Sequence, residues 1–84
     1  MMSLSETLLK KLQRTYEPFT TVRLRFRGKD VAFNTDAEGN AVQLFIGQLK
    51  ENGNIKGERY SRKMVKDRNG KLLRDHWDRK GTSS

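Results

Sequence analysis

The stretch Thr20-Thr21-Val22-Arg23-Leu24-Arg25-Phe26-Arg27 alternates without a break. Val22, Leu24 and Phe26 fall on one side of an extended chain, and Arg23, Arg25 and Arg27 on the other. A period of two marks a half-buried strand, because successive side chains leave a strand on opposite faces. The reading is a strand over about 20–27. Gly28-Lys29 then supplies a tight turn, and Val31 and Phe33 carry the apolar face into a second strand, 30–35.

The same grammar continues toward the C-terminus. Asp36-Ala37-Glu38-Gly39-Asn40 reads as a turn in which Gly39 takes positive φ. In the strand 41–49, Val42, Leu44 and Ile46 alternate with Gln43, Phe45 and Gly47, so both faces carry apolar groups. That pattern predicts a central strand. Asn52-Gly53-Asn54 turns the chain into a long strand, 55–65. Its apolar parity slips between Ile55 and Tyr60, which predicts a bulge near Gly57. Asp67-Arg68-Asn69-Gly70 is the strongest hairpin signal, and a last strand is expected over 71–77.

The N-terminal segment has a different period. Leu4, Leu8, Leu12 and Tyr16 recur every fourth residue, with Leu9 beside them and Lys10, Lys11 and Arg14 off the stripe. Ser3-Leu4-Ser5-Glu6 matches a capping box with Ser3 as N-cap. Pro18 disfavours helix at the residue before it, so the helix is expected over 4–16. The fold class is therefore α+β: an N-terminal α-helix, then a curled five-stranded antiparallel β-meander, a partly open barrel-like sheet. Residues 1–80 form one small domain, and 81–84 a flexible tail.

Val31 to Ile46 (VAFNTDAEGNAVQLFI) is similar to hairpins of lipocalin-like and other curled β-meander domains. The resemblance covers about a fifth of the chain and implies a curled sheet. It carries over no functional residue.

Composition excludes several kinds of chemistry. The 84 residues include no cysteine and one histidine, His76. Disulfide frameworks, thiolate nucleophiles and His- or Cys-rich metal centres are thus excluded. No cofactor or metal is expected. No apolar run approaches the ~18 residues of a membrane span. Glu6 interrupts the N-terminus before any long apolar region, against a secretory signal. A reducing, cytoplasmic setting is expected. Asp75-His76-Trp77-Asp78 is the one place where a general base could be built, yet no nucleophile accompanies it. The protein is expected not to be an enzyme.

Charge supplies the leading functional expectation. The net charge is +8, and residues 56–84 hold ten of the basic groups against four acidic ones. Such a field attracts polyanions. The expected partner is nucleic acid or another acidic macromolecule. Arg23, Arg25, Arg59 and Lys63 would contact phosphate, and Tyr60 and Trp77 would stack on bases. A second expectation is a protein-protein or self-associating module that uses Phe45 and Leu49, on the far side of the central strand from Leu44. A third is a small-ligand cup around an inward-facing Arg62–Asp75 pair.

Overall fold

A computed structural model gives the structure, which describes residues 5–83. Helix α1 (Glu6–Leu12) precedes strands β1 (Thr21–Phe26), β2 (Lys29–Thr35), β3 (Ala41–Leu49), β4 (Ile55–Lys66) and β5 (Leu72–Ser83). The strands form one antiparallel sheet in the order β1-β2-β3-β4-β5. The sheet does not close: β1 and β5 are its two edges.

The helix is shorter than its apolar stripe predicts. Ser5 is the N-cap, and its hydroxyl accepts from the Leu8 N–H at 3.2 Å. The expected cap Ser3, with Leu4, lies outside the described residues. The helix ends at Leu12 because tertiary partners take over the next turn. The Tyr16 N–H donates to the Gly39 carbonyl at 2.9 Å, and Thr15 bridges Asn40. Tyr16 still reaches the core, packing edge-on against Phe33 with centroids 5.0 Å apart. An isolated seven-residue helix is marginal in water, so packing decides its ends.

One face of the sheet holds the main core. Leu8 and Leu12 pack against Val31, Phe33, Leu44, Ile46 and Tyr60, with Val22, Leu24 and Phe26 at the margin. These strand residues sit opposite one another, as in Leu24↔Val31↔Ile46 and Val22↔Phe33↔Leu44↔Tyr60. The central position read for the third strand is the observed one. Among the described residues no helix is long and apolar enough to cross a membrane.

Two register details differ from the sequence reading. No bulge falls near Gly57, because β3 and β4 pair continuously from Leu49↔Ile55 to Gln43↔Ser61. Ile55 and Tyr60 therefore face opposite sides, and both are buried. Two shifts lie between β4 and β5, where Lys80 and Leu73 are extra residues, and one between β2 and β3, where Val42 is extra. The shift at Lys80 resets the parity of β5, so its ladder continues past Gly81 to Gly57↔Ser83. The tail expected from residue 81 is strand through Ser83.

Candidate nucleic-acid interface

The face turned away from α1 carries a row of four residues in register: Arg23, Ala32, Phe45 and Arg59. Two cations thus flank an apolar pair across four strands. Arg25 and Lys63 belong to the same face, opposite Asp30 and His76. All four cations expected to meet phosphate lie on this one face, with Arg25 and Lys63 at opposite corners of it. Arg27 does not join them, since it occupies the turn with φ 51°. Arg25 is partly committed, to Asp30 at 3.3 Å and to the Gly28 carbonyl at 3.0 Å. Arg23, Arg59 and Lys63 make no ion pair with a described residue.

The two aromatics expected to stack on bases are on the other face. Tyr60 is 3% exposed, and its hydroxyl donates to Glu58 at 2.8 Å. Burial, then the Glu58 hydrogen bond, pushes its phenol up to about 12. A ring inside the core cannot receive a base. Trp77 is half-buried against that core, with the Arg62 guanidinium 5.8 Å from its ring. The aromatic on the basic face is Phe45, which the sequence reading assigned to a protein interface. Leu49 is 48% exposed at the end of the same strand.

Phe45 shares a cavity with the tip of the β3–β4 hairpin. The Leu49↔Ile55 pair lies four pairs beyond Phe45↔Arg59, about 13 Å away in a flat ladder at ~3.3 Å per residue. Yet residues 53–55 line the same cavity as Thr21, Arg23, Ala32, Asn34 and Phe45. Gly47 and Gly57 pair midway between these two rows. A Cβ on Gly47 would lie 2.8 Å from the Gly57 Cα and closer still to the Lys56 carbonyl oxygen. Asp30, the β2 partner of Gly47, accepts the Leu49 N–H at Oδ2 at 2.8 Å. Ile55 and Ala32 are buried to 6% each on a face the core does not occupy.

The cavity measures about 350 Å³, at the small end of ligand sites. Ala32, Phe45 and Ile55 give it an apolar floor and flank. Thr21 and Asn34 give it a polar rim, with the Thr21 hydroxyl donating to Asn34 Oδ1 at 2.8 Å. Asn34 Nδ2 reaches Gln43 Oε1 only at 3.4 Å, so a good acceptor could claim it.

Arg62 is inward-facing, but its donors are spent on the chain itself. Its side chain is 6% exposed. Nε and Nη2 grip Asp75 at 2.7 and 2.6 Å. Nη1 donates to the carbonyls of Leu12 and Ala41 at 3.3 and 3.2 Å. Leu12 ends α1, so the guanidinium satisfies a helix-terminal carbonyl. The hydrogen bonds from Arg62 hold the Asp75 carboxyl below its usual range, against partial burial. This pair is a bracket between helix and sheet.

His76 Nε2 lies 3.2 Å from Asp78 Oδ1 on the basic face, and Ser61 stands opposite Asp78. Among the described residues no three His, Cys, Asp or Glu side chains gather as a metal site. Comparison with known protein families, curated proteins and solved structures finds no match.

Proposed function

We propose that this protein is a non-catalytic binding domain whose helix-free sheet face takes an acidic polymer, with nucleic acid as the leading partner. The observation that carries this reading is the registered row Arg23–Ala32–Phe45–Arg59, with Lys63 beside it. Cations that make no ion pair with a described residue share the sheet face of a half-buried aromatic. Basic grooves with stacking side chains bind single strands in this way. The setting proposed is cytoplasmic. A sheet that curls toward a partly open barrel also belongs to this reading, and the cavity that the hairpin tip shares with Thr21, Arg23 and Phe45 supports it.

The test is binding of a fluorescent single-stranded oligonucleotide, followed by anisotropy as salt is raised. Three phosphate contacts on a single strand correspond to a log–log slope of about −2. Absence of binding at low salt overturns the proposal. Leu49 and the open edges β1 and β5 support a second reading, self-association through the Phe45 face. Sedimentation at rising concentration separates the two, because self-association masks the basic row from the oligonucleotide.

A further inference from the structure

We infer that the cavity at the tip of the β3–β4 hairpin is a seat for one unpaired base of a single-stranded nucleic acid. The inference deepens the polyanion reading and rests on it. Charge alone would need only a flat cationic face. This face has in addition a slot of about 350 Å³ whose walls differ in chemistry.

A base is a flat apolar plate with a hydrogen-bonding edge and an anionic tether, and the slot offers a counterpart for each part. The Phe45 ring supplies a surface for the plate. The Asn34 amide supplies the edge, because an Asn side chain can donate and accept together, the pairing that suits adenine. Asn34 has such capacity left, since its amide nitrogen has only a 3.4 Å contact to Gln43. Arg23 and Arg59 stand at the two ends of the row through Phe45, where the phosphates either side of a seated base would pass.

The hairpin tip closes the far side with residues 53–55. Asp30 ties the hairpin to β2 through the Leu49 N–H, and Gly47 meets Gly57 without a side chain between them. A duplex does not satisfy this site, because its bases are stacked and paired and cannot enter it. A simple packing void would be lined by apolar groups alone. This one has Thr21, Asn34 and Arg23 on its rim.

The experiment compares three labelled probes of ten nucleotides at one low salt concentration: an adenine single strand, the same sugar-phosphate chain without bases, and the duplex. The adenine strand is expected to bind about tenfold more tightly than the abasic chain, the range of one base stack. Phe45→Leu should remove most of that ratio. Asn34→Ala, at a half-buried position on the rim, should lower the ratio severalfold and serves if Phe45→Leu does not fold. Arg59→Gln should weaken all probes alike. Equal binding of adenine and abasic chains overturns the base seat and leaves the polyanion reading standing. Duplex binding equal to the adenine strand also overturns the seat. If no probe binds, both readings fall.

Discussion

Gly47 and Gly57 face each other across β3 and β4 so closely that a Cβ on Gly57 would lie 2.7 Å from the Gly47 Cα. Backbone occupies the space that side chains fill elsewhere in the ladder. This approach lets the hairpin tip share a cavity with Ala32 and Phe45, where Ile55 is buried. Gly57→Ala should therefore cost about 1–3 kcal/mol, the range for inserting a methyl where nothing can yield. The loss is read from the urea midpoint. Amide exchange at Leu49, whose N–H is held by Asp30, should rise more than exchange in β1. A substitution with no effect on either would show that the hairpin tolerates splaying.

The Arg62–Asp75 bracket should make stability asymmetric to mutation. Arg62→Met leaves the Asp75 carboxylate and the Leu12 and Ala41 carbonyls without their donor. The expected loss is about 1–2 kcal/mol, the cost of leaving the two part-buried carbonyls without their donor beside a solvent-exposed carboxylate. Arg62→Met combined with Asp75→Leu should recover part of it, because no unpaired charge remains. Denaturant unfolding of the single and double variants completes the cycle.

The same pair sets a pH dependence. Hydrogen bonds from Arg62 hold the folded-state pKa of Asp75 below the ordinary aspartate value near 3.8. The unfolded chain then binds more protons near that pH, so stability rises with pH there. The contribution is fully present above the unfolded pKa and is lost as pH falls through the folded one. Thermal unfolding between pH 2 and 5 should show this limb. Asp75→Asn should flatten it, and an unchanged limb would assign the acid sensitivity to other carboxylates.

Tyr60 offers a spectroscopic check on the core. Its phenol is pushed up to about 12, by burial first and then by the Glu58 hydrogen bond. A raised folded-state value means that the neutral ring stabilises the fold fully below the unfolded pKa near 10 and loses that contribution as pH rises toward 12. Ultraviolet titration should show a late phenolate step that Tyr60→Phe removes. The same variant should bind oligonucleotide as the parent does, because the ring is in the core. If Tyr60→Phe instead removes a step near pH 10, or weakens binding, Tyr60 is at the surface.

The strands were legible because alternation is local. Val22, Leu24 and Phe26 against Arg23 and Arg25 need no partner to reveal a two-faced strand. The helix with an antiparallel sheet follows from such stretches and the turns between them. Register is not local, and the site depends on register. Tyr60 sits among cations in the sequence, yet its parity with Leu44 places it in the core, while Phe45 shares a row with Arg23 and Arg59. The parity slip at Ile55 was visible, but a bulge and burial on both faces produce the same slip. The signal for the close approach of Gly47 and Gly57 was their spacing, symmetric about the 50–54 turn.

Charge reversal separates a directed interface from a general basic field. Arg59→Glu and Lys63→Glu change the net charge of +8 by −4 on the proposed face. Lys10→Glu and Arg14→Glu change it equally near the helix. If binding follows only net charge, the two double variants lose affinity alike. If the registered row makes the contacts, the first should lose at least tenfold more than the second and reduce the salt slope by about 1.4, at ~0.7 per phosphate contact. Anisotropy titrations at three salt concentrations give both numbers. Exposed strand positions such as these usually tolerate substitution within ~0.5 kcal/mol, so the fold should survive and the comparison reads binding. Equal losses with equal slopes would reduce the interface to charge alone.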